Sequence, residues 1–254
     1  MTKPTRSLIG LEQTARGVVI EELRVPDVRA RDPLRSVPRG IAVDGAHVYW
    51  TCAVPCGSDG GPCGGAVMSV PLGGGTPVTL VSNQDTPWAI AVNATNLFWT
   101  NNAPGTDEGF NGTVMTVPLA GGTPITLASA QTGPSSIALD DTSVYWVNSG
   151  ASNGTVLKCA QSGCAGNPTT LASQQNAPHA IAVDAKNVYW TDWGTDVVMM
   201  VPVTGGVATT LAIGSCAAVD AGQCNAYGLA ADATRVYWTN EALGGGTVMW
   251  VAKP

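Results

Sequence analysis

One phrase occurs five times along the chain. Ile41-Ala-Val-Asp-Gly-Ala-His-Val-Tyr-Trp-Thr51 returns as Ile90 to Thr100, Ile137 to Val147, Ile181 to Thr191 and Leu229 to Thr239, with starts 49, 47, 44 and 48 residues apart. Self-similarity at such a period marks an array of like units, each too small to bury its own faces alone. A second phrase follows each first: Ala66 to Pro71, Thr113 to Pro118, Thr155 to Cys159, Val197 to Pro202 and Thr247 to Val251. A third follows the first four: Thr76 to Leu80, Thr123 to Leu127, Pro168 to Leu171 and Ala208 to Leu211. All are short, rich in Val, Ile, Thr, Tyr and Trp, and bounded by Gly, Pro, Asn or Asp, which reads as strands.

The first phrase is two strands. Asp44, Asn93, Asp140, Asp184 and Asp232 stand between them, where an Asx side chain bonds its own turn. Glycine pairs such as Gly121–Gly122 suit the third link, because glycine takes positive φ without a Cβ clash. Each repeat therefore carries four antiparallel strands, A to D. Four strands in about 47 residues is the blade of a β-propeller. The common solenoids carry helices, and no helical period is present. The expectation is an all-β propeller of four-stranded antiparallel blades. In Val48-Tyr49-Trp50-Thr51, Val and Trp share one face and Tyr and Thr the other. Both faces can pack on neighbouring blades, so the five tryptophans Trp50, Trp99, Trp146, Trp190 and Trp238 read as structural.

Val188-Tyr-Trp-Thr-Asp192 resembles the YWTD signature of low-density-lipoprotein-receptor class B propellers, with close variants at Tyr49–Cys52, Phe98–Asn101, Tyr145–Asn148 and Tyr237–Asn240. In style the repeat is nearer still to the YWTD-like repeats of bacterial secreted proteins. The resemblance spans about residues 38–253 and implies the fold. YWTD propellers usually have six blades; five copies here make five the expectation and six the alternative. The fifth copy stops at Val251-Ala-Lys-Pro254 without a D strand. An unpaired edge invites aggregation, so an N-terminal strand is expected to close the last blade. Val18–Leu23 pairing with Val248–Val251 is favoured over Ser7–Glu12; the rival is a truncated propeller. Residues 1–37 are then a basic segment that includes the closing strand, and 38–254 the propeller domain.

Charge is uneven. Residues 1–39 carry eight bases and five acids, against four bases and thirteen acids in 40–254. The acidic body repels phosphate backbones, so no nucleic-acid partner is expected. No apolar run approaches the roughly 20 residues of a membrane span, so no membrane insertion is expected either. Of seven cysteines, Cys159 with Cys164 and Cys216 with Cys224 look like short loop-closing disulfides. Cys56 with Cys63 is the simplest third pair, leaving Cys52 at the Asp position of the signature. Disulfides imply an extracellular or periplasmic home, although Met1–Leu11 shows no signal peptide. Only two histidines and no CxxC are present, so no metal and no cofactor are expected.

The irregular segments all belong to the B–C and D–A loops, which share one face of a propeller, and function tends to sit on variable loops held by a rigid frame. Just before strand A the five copies read Arg39, Trp88, Ser135, His179 and Tyr227, changing every time while their neighbours hardly change. Strand A lines the channel, so these five are expected to ring its mouth, joined by Trp193 from a B–C loop. Arg, Trp, His and Tyr suit a polar ligand with a flat or sugar-like face. The expected function is a secreted or surface module binding protein or carbohydrate. The alternatives are a metal-independent lyase or hydrolase at the mouth, as in gluconolactonase-like hydrolases and streptogramin lyase, or a propeller with no ligand. No carboxylate stands in the ring and no nucleophile motif is visible, so no catalytic residue is assigned.

Overall fold

The computed structural model describes residues 8–14, 17–23, 37–53, 64–103, 112–150, 152–214, 225–241 and 246–254. Each repeat forms one antiparallel sheet whose strands lie in chain order. Two strands, β1 (Leu8–Thr14) and β2 (Gly17–Leu23), precede the repeats, and the first repeat's sheet holds β3 (Val37–Val43), β4 (His47–Ala53), β5 (Gly65–Pro71) and β6 (Val78–Gln84). The second holds β7 (Pro87–Val92), β8 (Asn96–Asn101), β9 (Gly112–Pro118) and β10 (Ile125–Gln131). The third holds β11 (Pro134–Leu139), β12 (Ser143–Asn148), β13 (Gly154–Ala160) and β14 (Thr169–Gln175). The fourth holds β15 (Pro178–Val183), β16 (Asn187–Asp192), β17 (Val197–Pro202) and β18 (Thr209–Ile213). The fifth has three strands only: β19 (Asn225–Ala231), β20 (Arg235–Glu241) and β21 (Thr247–Ala252).

The Asx turns form as the sequence dictates. Asp44 Oδ1 accepts from the backbone N–H groups of Ala46 and His47, both at 2.7 Å, and its Oδ2 from the Tyr49 hydroxyl at 2.9 Å. Tyr145, Tyr189 and Tyr237 make the same bond to Asp140, Asp184 and Asp232. Burial, then the adjacent carboxylate, pushes the Tyr49 and Tyr145 hydroxyls up to about 12. The second copy has Phe98 in place of tyrosine and Asn93 in place of aspartate, and Asn93 Nδ2 donates instead to Gln161 Oε1 at 2.7 Å.

The cores lie between sheets. Tyr49 of the first sheet packs with Leu97 and Trp99 of the second, and Phe98 of the second with Val144 and Trp146 of the third. Tyr145 of the third packs with Val188 and Trp190 of the fourth, and Tyr189 of the fourth with Val236 and Trp238 of the fifth. Each of these four interfaces thus sets the Tyr or Phe face of one sheet on the Trp face of the next, with Leu97 or a valine beside the tryptophan. A polar link repeats beside it. Trp99, Trp146 and Trp190 donate through Nε1 to Gln84, Gln131 and Gln175 of the preceding sheet at 3.0–3.1 Å. In the first three sheets strand C begins at a glycine because the chain closes tightly there: a Cβ on Gly112 would stand 2.7 Å from Gln131 O.

The first strands β3, β7, β11, β15 and β19 pack on one another in succession. Among the described residues no comparable packing joins β19 to β3, so the arc of sheets is open between the fifth and the first. Exposure follows. Ile41 is 68% exposed, whereas its counterparts Ile90, Ile137 and Ile181 are 6–8% exposed. Val43, Val248 and Trp250 are exposed as well, with the Arg235 guanidinium 4.1 Å over the Trp250 ring.

Gly17–Leu23 (β2) pairs with Leu8–Thr14 (β1) in a two-stranded sheet, Gln13 opposite Val18, and not with β21. The pairing of Val18–Leu23 with Val248–Val251 is therefore not formed, and the N-terminal strand does not close the last blade. The reason is local: a hairpin with a two-residue connection costs far less loop entropy than a pairing across more than 220 residues. The Cys159–Cys164 disulfide is formed and Cys52 is a free thiol, which burial pushes up in pKa. Cys56, Cys63, Cys216 and Cys224 lie outside the described residues. No helix among the described residues is long and apolar enough to cross a membrane.

Candidate functional site

Arg39, Trp88, Ser135, His179 and Tyr227 all sit at or near the start of a first strand, on β3, β7, β11, β15 and β19 in turn. Their side chains meet in two groups. The Arg39 guanidinium lies 4.2 Å over the Trp88 ring. The Ser135 hydroxyl donates to His179 O at 3.4 Å, and the His179 and Tyr227 rings are 4.1 Å apart at a 34° tilt. Trp193 lies on the loop after β16, where its N–H donates to Ala177 O at 3.2 Å, and the residue is 44% exposed.

His179 is half-buried. Burial holds its pKa below the usual imidazole range, against a hydrogen bond with the Tyr227 backbone, so the ring is neutral at pH 7. Its Nδ1 is buried without a hydrogen-bond partner. At the open end, Tyr227, Thr239, Asn240, Glu241 and Gly246 line a cavity of about 470 Å³. This places one carboxylate, Glu241, beside the end of the ring. Asp192 and Asp196 are both pushed up in pKa by burial, Asp192 to about 6. Among the described residues no three metal-ligating side chains cluster.

Sequence reasoning missed what holds the ring in place. Thr51 Oγ1 accepts from Gly40 N–H at 2.9 Å and donates to Trp88 O, in the next sheet, at 2.7 Å. Thr191 Oγ1 accepts from Ala180 N–H at 3.1 Å and donates to Tyr227 O at 3.2 Å. In the first and fourth copies this threonine is thus a clasp between sheets, with a main-chain carbonyl in the next sheet as its acceptor; in the second, Thr100 Oγ1 accepts from Ala89 N–H at 3.1 Å. The third copy has Val147 instead, and there Ser135 does the work by donating to His179 O, while Ser136 Oγ accepts from Ile181 N–H at 3.3 Å. In the fifth copy Thr239 accepts from Gly228 N–H and is exposed at the open end. The signal was in the sequence: the one copy lacking the threonine is the one with serines at both neighbouring positions.

No family model matches the sequence, and neither does any curated protein. Solved structures do match. A chain of the nidogen/laminin complex aligns over 91% of this chain and 80% of its own length, with a TM-score of 0.65 and 19% identity. A catalytically inactive virginiamycin B lyase from Staphylococcus aureus, solved with quinupristin, aligns over 90% of this chain and 69% of its own, with a TM-score of 0.63 and 18% identity. A streptogramin B lyase aligns over 94% and 70%, with a TM-score of 0.64 and 15% identity. At such identities the likeness speaks to fold alone. The chain has a β-propeller fold, and proteins sharing it include both a partner-binding domain and enzymes.

Proposed function

We propose that this chain is a secreted or surface binding module of the YWTD type, with five blades in residues 38–254 and a separate basic segment before them. It takes a protein or carbohydrate ligand at the mouth formed by Arg39, Trp88, Ser135, His179, Tyr227 and Trp193. The observation that carries this reading is the pairing of unlike side chains at one repeated position. Arg39 stacks on Trp88 and His179 on Tyr227, giving aromatic faces and polar edges side by side. Flat faces flanked by donors suit sugar rings and peptide side chains. An extracellular home agrees with the Cys159–Cys164 disulfide.

The test is a glycan and peptide array followed by calorimetry on the hits. Trp88→Ala and Tyr227→Ala should each weaken binding at least tenfold while leaving the melting temperature within about 3 °C of the parent. Retained affinity in both variants refutes the placement. A lyase is the second reading, favoured by the partnerless Nδ1 of His179. It requires turnover of a cyclic depsipeptide or lactone that His179→Ala abolishes.

A further inference from the structure

Four repeats place an amide or carboxyl at the residue after the threonine or Val147 position: Asn101, Asn148, Asp192 and Asn240. In the second and third sheets this side chain completes a fixed pattern. Gln84 and Gln131 spend their Nε2 on Ser82 O and Ser129 O, at 3.1 and 2.8 Å, which leaves Oε1 as an acceptor. That Oε1 takes two N–H donors, the tryptophan Nε1 and the asparagine Nδ2, the latter at 3.1 Å for Asn101 and 3.0 Å for Asn148.

In the fourth sheet Gln175 is held the same way, donating to Ser173 O at 2.7 Å and accepting from Trp190 at 3.1 Å. Its second donor should come from Asp192, which as a carboxylate has none. Asp192 Oδ2 accepts from Asn176 N–H at 3.4 Å, whereas Oδ1 is buried and has no partner. In Asn101 and Asn148 the Nδ2 reaches the glutamine while Oδ1 is buried without a partner, so by the repeat the Asp192 carboxyl is directed at Gln175 with no N–H to offer it. A carboxylate there would set two acceptors together, in a site where Asp192 is 5% exposed.

We infer that Asp192 carries a proton on Oδ1 and donates it to Gln175 Oε1, and that losing this proton as pH rises loosens the foot of the Trp193 loop. The surroundings agree. The strands β14, β15, β16, β17 and β19 bear no lysine or arginine that could hold a carboxylate ionised. Their titratable groups are His179, Tyr189 and Tyr227, with Asp196 just before β17, and none of these is a cation at pH 7, since His179 is held neutral. Burial pushes the Asp192 carboxyl up to about 6, against hydrogen bonds from the Asn176 N–H and the Trp190 side chain that favour the ionised form, and this lies within the range where the switch would act. The coupling is short. The Asn176 N–H bonds Asp192 itself, and the N–H groups of Trp193 and Gly194 bond Ala177 O and Asn176 O. Ionisation therefore strains the segment carrying His179 and the loop carrying Trp193 together, whatever the mouth binds.

The experiment compares the full chain with Asp192→Asn and Asn148→Asp between pH 4.5 and 8. The parent should lose roughly 5–10 °C of melting temperature as pH rises through 6. Asp192→Asn should abolish that slope, and Asn148→Asp should add a second one by importing the acidic group into the third sheet. Carboxyl ¹³C NMR should show Asp192 titrating well above pH 4.5, and exchange of the Trp193 and Gly194 amides should quicken over the same interval. If Asp192 titrates below pH 4.5, a water molecule bridges the two acceptors and the inference fails. It fails equally if Asp192→Asn keeps the parent's slope, or if Asn148→Asp adds none.

Discussion

Replacing Thr191 by Val removes the clasp between the fourth and fifth sheets without opening a cavity, because the two side chains have nearly the same shape. Thr191 is fully buried, and its hydroxyl serves Ala180 N–H and Tyr227 O together. The valine variant leaves both groups without a partner. An unsatisfied buried polar group costs about 1–3 kcal/mol. These two are only partly buried, so the lower end applies, about 2 kcal/mol in total. For a chain of this size that lowers the melting temperature by about 4–8 °C. The chain supplies its own rescue, since the third sheet works with Val147 plus Ser135 and Ser136. Adding His179→Ser and Ala180→Ser to Thr191→Val transplants that arrangement. The serine pair alone serves as the control for the lost imidazole, and urea denaturation of the four proteins gives a coupling energy. We expect the serines to recover at least about 1 kcal/mol in the valine background and none in the parent. If Thr191→Val is neutral, or the serines fail to recover stability, the clasp does not hold the sheets.

The tryptophan link gives a contrast within one chain. Trp146→Phe, which strips a partner from Gln131, should cost about 1 kcal/mol more than Trp238→Phe, because Trp238 Nε1 is already buried without a partner; equal costs by urea denaturation refute the ladder. Lys253 donates to Asp184 Oδ2 at 2.6 Å. Burial opposes ionisation of Asp184, yet Lys253 and the local N–H groups hold its pKa at about 2, below the ordinary 3.8. A lowered acid stabilises the folded state above its ordinary pKa and loses that stability as pH falls through the folded one. Lys253→Met should therefore cost about 1 kcal/mol at pH 7, and its deficit should shrink between pH 4 and pH 2 in thermal melts.

The strand count and the turns were legible because they depend on local chemistry. Asx residues and glycine pairs fix turns within a few residues, and Val-Tyr-Trp-Thr shows its two faces by alternation alone. The open arc was not legible, because closure depends on how far each sheet rotates from the last, which no short pattern encodes. The misplaced N-terminal strand shows the same limit: Val18–Leu23 has the composition of a strand, but composition does not choose a partner. Gln84, Gln131 and Gln175 recur at the end of strand D and could have been paired with the tryptophans. A glutamine on a surface strand rarely signals an inter-sheet bond.

The clasp also explains why the ring position varies from copy to copy. What the fold takes from Trp88, His179 and Tyr227 is a carbonyl oxygen, which any residue supplies equally well. Their side chains are released from that duty, whereas the residues around them answer to sheet packing. Ser135 is the exception that tests the rule. Its hydroxyl replaces the threonine lost at Val147, and it is buried. Its identity is therefore set by the framework, and the side chains left free of that duty at this position are arginine, tryptophan, histidine and tyrosine. Freedom from structural constraint does not by itself create a binding site. Chance filling, however, gives no reason for a cation to lie over one ring and an imidazole against another in neighbouring pairs. Such pairing requires side chains that reach across the sheets toward each other, and that shared direction is what a ligand would meet.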